Sequence, residues 1–92
     1  MKKSVVITVK GKVQGVGYRF STKAVADQLG VKGKVKNEPN GDVTIEAEGD
    51  DLSIEMFLDW CREGPELASV TEVITVSGEL KNYLNFDLLK KN

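Results

Sequence analysis

The amino-acid sequence predicts an α+β fold, with elements in the order β-α-β-β-α-β, a short strand appended, and both helices on one face of a mainly antiparallel sheet. Three observations carry this. Residues 4–10 alternate apolar and polar positions at the period of a strand, residues 20–29 and 51–63 carry apolar stripes at helical spacing, and Asn40-Gly41 punctuates two further alternating runs as a hairpin would. At 92 residues the chain suffices for one domain that buries roughly 60–65% of its unfolded surface. No repeat, low-complexity stretch or linker divides it, so residues 1–92 read as a single domain.

The elements follow in order. In the first strand Val5, Ile7 and Val9 share one face. Residues 11–19, with Gly11, Gly15 and Gly17, form a loop that needs unusual backbone angles. The first helix spans about Phe20 to Leu29, with Phe20, Ala24, Val25 and Leu29 on or near its inner stripe, and Gly30 is its stop. Val31–Lys36 and Asp42–Glu48 are the second and third strands, joined through Asn40-Gly41; Val43, Ile45 and Ala47 alternate along the latter. Asp50 or Asp51 caps a second helix that runs to about Glu63, and Ile54, Phe57, Leu58 and Cys61 form its buried stripe. Gly64-Pro65 ends that helix; Val70–Ser77 is a fourth strand, and Asn85–Leu89 a short last one with Phe86 and Leu88 inward. This order is the split βαβ, or ferredoxin-like, architecture, which hosts many unrelated activities.

Composition removes several function classes. Hydrophobic residues at 40% and charged residues at 29% are ordinary for a soluble protein. Met1-Lys2-Lys3 before Val5 resembles the start of a leader, but Lys10 and Lys12 end the apolar run after about five residues, short of the ~7–15 a signal peptide needs. Nothing approaches the ~20 apolar residues of a membrane span, so a cytoplasmic protein with no membrane contact is expected. The chain has no histidine, the usual neutral-pH base and commonest metal ligand. Its lone Cys61 permits neither an internal disulfide nor a cysteine zinc cluster. A cysteine-type phosphatase would need an arginine six positions later, where Leu67 stands, so Cys61 reads as a small buried thiol.

A net charge of −1 disfavours a general nucleic-acid binder, and the first and third strands carry none of the aromatics on which an RNA-binding sheet stacks bases. The charge is uneven nonetheless. Residues 1–36 hold nine Lys/Arg against Asp27 alone, and residues 37–92 hold four against thirteen acids. Either solvated faces interleave in the fold, or a local positive field serves a small anion.

The segment Gly11-Lys-Val-Gln-Gly-Val-Gly-Tyr-Arg19 lies between a strand and a helix. Glycines let successive backbone N–H groups turn inward as a nest, and a helix N-terminus adds unpaired donors, which together suit a tetrahedral dianion. Arg19, where loop becomes helix, can fold its planar fork over the same pocket. No Gly-Lys-Ser/Thr ending and no third glycine at position 20 are present, which disfavours a nucleotide site. On this segment alone a plain tight turn stands beside the anion cradle.

Asn37 ends the second strand, where Asn commonly bonds its own backbone in a turn. A helical crossover, however, makes strands one and two parallel, so the glycine loop and Asn37 emerge at one edge of the sheet. There its amide offers a donor and an acceptor to hold a water against a bound phosphate.

Together these segments resemble the two signatures of the acylphosphatase family. The first signature is carried by Gly11, Val13-Gln14-Gly15-Val16, Tyr18 and Arg19, and the second by Gly33, Lys36, Asn37, Gly41, Val43 and Gly49. The run Glu63-Gly-Pro-Glu-Leu-Ala-Ser-Val70 also looks like the family's link into its fourth strand. Lys34 departs from the bulky aromatic usual there, and Tyr18 replaces the commoner Phe. The resemblance implies a small free-standing hydrolase that cuts acyl phosphates into a carboxylate and inorganic phosphate, as a monomer, with no cofactor and no metal. It implies that Gln14, Gly15, Val16, Gly17, Tyr18 and Arg19 bind the phosphoryl group, and that Arg19 and Asn37 are catalytic, Asn37 orienting the attacking water. A regulatory domain that only binds a small anion would use the same loop.

Overall fold

The computed structural model describes residues 1–90, so the last two positions of the expected 1–92 domain lie outside it. In chain order the elements are β1 (Lys2–Lys12), α1 (Tyr18–Leu29), β2 (Lys32–Asn37), β3 (Val43–Asp50), α2 (Asp51–Glu63), β4 (Ser69–Ser77) and β5 (Phe86–Leu88). The strands form one sheet in the order β4-β1-β3-β2-β5. β1 runs antiparallel to both β3 and β4, β2 is antiparallel to β3, and only the β2–β5 pair is parallel. This is the expected α+β, ferredoxin-like arrangement.

Alternation sorts the sheet residues. Val5, Ile7 and Val9 of β1, Val35 of β2, and Val43, Ile45 and Ala47 of β3 are buried beneath the helices. From α2 they meet Ile54, Phe57 and Cys61, and from β5 Phe86, whose ring stands edge-on to Phe57 at 6.0 Å. Cys61 is a buried free thiol, as its setting in the sequence predicted.

The first helix departs from expectation. It starts at Tyr18, two residues early, and its buried stripe is Tyr18, Thr22 and Ala26 at strict i, i+4 spacing, while Phe20 is 73% exposed and Ala24 faces solvent. Two residues of helix turn a side chain through about 200°, so anchoring the face on the aromatic at 18 sends the one at 20 outward. Tyr18 anchors firmly: its hydroxyl donates to the Cys61 carbonyl at 2.7 Å and its ring packs on Trp60 at 5.3 Å, tying α1 to α2. Buried Thr22 is tolerated because its hydroxyl donates back to the Tyr18 carbonyl at 2.7 Å. Val25 and Leu29 are half-buried against the core, and Gly30 ends the helix in the left-handed region, with the following Val31 N–H donating to Ala26.

Two turns also differ in detail. Asn40-Gly41 is not a two-residue hairpin. The Gly41 N–H donates to Glu38 and the Glu38 N–H to Asp42, a three-residue loop with Gly41 at φ 98°. Pro39 at the second turn position favours this form, since its ring presets φ for a type I turn. Asp50 occupies the N-cap position of α2, but its side chain makes no capping bond. No helix among the described residues is long and apolar enough to cross a membrane.

Candidate active site

Topology brings the two signature segments together. Val43 of β3 pairs with Val9 on one side and with Asn37 on the other, so the residues that lead into the glycine loop stand about 10 Å from Asn37, two strand spacings away. β1 and β2 point the same way because each is antiparallel to β3, and both loops open at one edge.

Between them lies a cavity of about 200 Å³ lined by Val13, Gly15, Gly17, Tyr18, Arg19, Phe20 and Asn37. Gly15 and Gly17 have φ of 73° and 77°, and a Cβ on either would meet nothing within 4 Å. What the glycines supply is therefore backbone freedom, of the kind a loop needs to turn its amides toward an anion. Gly17 is the N-cap of α1; no side chain caps this end and no acidic residue sits in the first turn, so its N–H groups and dipole favour an anion. Arg19 is fixed by a hydrogen bond from Nη1 to the Leu89 carbonyl at 2.6 Å, across 70 residues of sequence. That bond leaves the rest of the guanidinium fork for a ligand.

Asn37 presents a different feature. Its Oδ1 is buried and accepts no hydrogen bond from the described residues. Such oxygens are uncommon, because burying a carbonyl without a partner costs about 1–3 kcal/mol. A turn asparagine would satisfy this oxygen on its own backbone. Here Asn37 lines the cavity that Arg19 also lines.

Gly15, Gly17, Tyr18, Arg19 and Asn37 thus converge, although the Tyr18 ring points into the core. Gln14 and Val16 do not line the cavity. The Gln14 amide donates from Nε2 to the carbonyls of Glu38 at 2.8 Å and Asp42 at 2.9 Å, clamping the β2–β3 loop to the glycine loop. Val16 packs half-buried against the core. The same loop is held by Lys10–Asp42 at 2.7 Å; that bond lowers the Asp42 carboxyl below its ordinary range and raises Lys10. Sequence reasoning missed the rim position of Phe20 and the clamping role of Gln14. An earlier helix start, signalled by Gly17 before an aromatic, would have revealed the first; no residue type signals the second, since its partners are backbone carbonyls. Lys34 lies on the open sheet face, 3.6 Å from Glu46 and outside the cavity.

Other hollows carry less chemistry. One of about 230 Å³ on the open face is lined by charges that pair among themselves, Lys34 with Glu46 and Lys36 with Glu38. A wider one of about 450 Å³ at the far end of the sheet contains Glu48, whose carboxylate already accepts the backbone N–H groups of Lys81 and Tyr83. Among the described residues no three His, Cys, Asp or Glu side chains gather as a metal site.

The acylphosphatase family model matches residues 5–87. An acylphosphatase of Archaeoglobus fulgidus is 46% identical over 82 residues, 89% of this chain and 92% of the relative. The solved structure of an acylphosphatase from Coxiella burnetii superposes with a TM-score of 0.92 at 36% identity, covering 96% of this chain and 93% of that one. The acylphosphatase of Bacillus subtilis gives 0.93 at 31% identity over 98% and 100% of the two chains.

Proposed function

The chain belongs to the acylphosphatase family and is an enzyme that hydrolyses acyl phosphates, and on that premise we propose how its residues do so. The loop amides at Gly15–Tyr18, the α1 N-terminus and the Arg19 fork hold the phosphoryl group. Asn37 orients a water for in-line attack on phosphorus. The observation that carries this reading is that Asn37, whose buried Oδ1 has no hydrogen-bond partner among the described residues, lines the same cavity as Arg19. The Asn37 amide has both a donor and an acceptor with which to hold a water in that cavity against a bound phosphoryl group.

The water's oxygen forms the new bond to phosphorus as the bond to the acyl oxygen breaks, and the pair of electrons leaves on a carboxylate of low basicity. No general acid is needed for such a leaving group. The water's proton passes to a phosphate oxygen of the substrate, consistent with a chain that has no histidine. Positioning and charge stabilisation supply the catalysis, as a loose phosphoryl-transfer transition state allows. The proposed enzyme works as a cytoplasmic monomer without metal or cofactor.

The test is phosphate release from benzoyl phosphate by the purified chain in excess chelator. Activity should persist, and loss restored by a divalent ion would sink the metal-free route. Asn37→Ala should lower kcat by about 10²–10³ while inhibition by inorganic phosphate stays nearly constant. Asn37→Asp should not restore the rate, because a carboxylate would repel the bound dianion. Arg19→Lys should lose both turnover and phosphate inhibition, since an ammonium cannot replace the bidentate fork. Parental activity in Asn37→Asp would reduce Asn37 to a turn residue.

A further inference from the structure

Phe20 is out of keeping with the other phenylalanines. Phe57 and Phe86 are at most 1% exposed and build the core, whereas Phe20 is 73% exposed and stands apart from it. An exposed aromatic ring leaves apolar surface in water that folding does not remove. Single surface apolar groups are common, so exposure alone means little. Position gives it meaning, because Phe20 lines the active-site cavity, next in sequence to Arg19. Of the other apolar lining residues, Val13 and Tyr18 are 1% exposed, which makes Phe20 the one large apolar side chain with free surface on that wall.

An acyl phosphate has two ends. Its phosphoryl end is accounted for by amides and a guanidinium, which discriminate charge and shape but ignore the acyl group. In-line attack puts the leaving acyl oxygen on the opposite side of phosphorus from the water, so the acyl group does not share the corner of Asn37 and projects toward solvent. Among the residues that line the cavity the glycines have no side chains to offer, Val13 and Tyr18 are buried, and Phe20 supplies the free apolar surface.

We infer that Phe20 is an acyl-side contact that makes the enzyme prefer acyl phosphates with an aromatic or extended apolar acyl group over those with a short one. This rests on the hydrolase reading above. The ring contributes to substrate binding without touching the reacting atoms, so its effect falls on KM more than on kcat. Because the side chain is largely in solvent, its replacement leaves the core intact.

The experiment compares kcat/KM for benzoyl phosphate and acetyl phosphate in the parent chain, Phe20→Ala and Phe20→Tyr. The benzoyl-over-acetyl ratio should fall roughly 3- to 10-fold in Phe20→Ala, the scale of one aromatic contact, and do so through KM. Phe20→Tyr should hold the ratio within about twofold of the parent, since the ring face is kept. Inhibition by inorganic phosphate serves as the control that the cradle is intact. An unchanged ratio in Phe20→Ala, or an equal fall for both substrates, overturns the inference while the hydrolase reading stands. A parent chain that hydrolyses neither substrate overturns both.

Discussion

Gln14 spends both hydrogens of its amide on the carbonyls of Glu38 and Asp42, at either end of the turn that follows Asn37. All that it can still donate to an anion is its backbone N–H. The clamp therefore predicts a specific defect. Gln14→Ala should lower kcat roughly 10- to 100-fold by loosening the corner that Asn37 occupies. The phosphate inhibition constant should move less than twofold, because the cradle itself is undisturbed. Steady-state kinetics with phosphate as inhibitor decide it; a large loss of phosphate affinity would make the side chain an anion ligand instead. Arg19 and Asn37 stood out in the sequence as candidates because their chemistry is their identity: a planar fork beside a glycine loop, and an amide at a strand end, which the structure places on one cavity. The environment of Asn37 was not legible there. That its oxygen goes unpartnered depends on which groups surround it, and only the packed structure supplies them.

Among the elements, strands were legible from alternation alone, since a half-buried sheet imposes a period of two on its residues. Helix α1 was displaced because its inner face is built from a tyrosine, a threonine and an alanine, which do not read as an apolar stripe. The pairing of β5 alongside β2 was also beyond the sequence, as three residues carry no register. That neighbourhood shows how tightly β2 is constrained. Gly33 pairs with Ala47 on one side and Phe86 on the other at φ 146°, and a Cβ there would lie 1.8 Å from the Glu46 carbonyl oxygen. Gly15 is also at positive φ but faces open space. Gly33→Ala should therefore cost at least ~3 kcal/mol or prevent folding, as overpacking against backbone does. Gly15→Ala should cost only the ~1–2 kcal/mol of a left-handed alanine. Thermal melts of the two variants should differ clearly, the second falling by roughly 4–16 °C; equal losses would contradict the geometry around Gly33.

For the molecule as a whole, buried acids and surface pairs set opposite limits on pH stability. Asp42, held down by its hydrogen bond from Lys10, and Glu46, held down first by Lys81 and then by Tyr83, are more acidic folded than unfolded. Their contribution is present above the unfolded carboxyl values and fades as pH falls through the lowered ones. At the alkaline end burial pushes the Cys61 thiol up to about 12, and burial likewise raises the Tyr18 phenol. The unfolded chain releases the thiol proton near pH ~8.5 while the folded chain keeps it, so stability is lost as pH climbs from there. Unfolding free energies from urea titrations should fall from pH 8.5 to 11 with a limiting slope of about 1.4 kcal/mol per pH unit from Cys61, less steeply in Cys61→Ala. Parallel curves for the two chains would show that the thiol titrates alike in both states.

The bond from Arg19 to the Leu89 carbonyl joins the first helix to the segment just beyond the last strand, and Lys23 donates to the Phe86 carbonyl beside it. During synthesis Arg19 emerges from the ribosome long before residues 86–89 do. Phe86 of that last strand is itself a core residue against Phe57, so the docking that closes the core also braces the arginine. On the role proposed for Arg19, turnover waits for that last strand. Appearance of hydrolytic activity on refolding should then report the arrival of the chain's end, in step with the closing of the core.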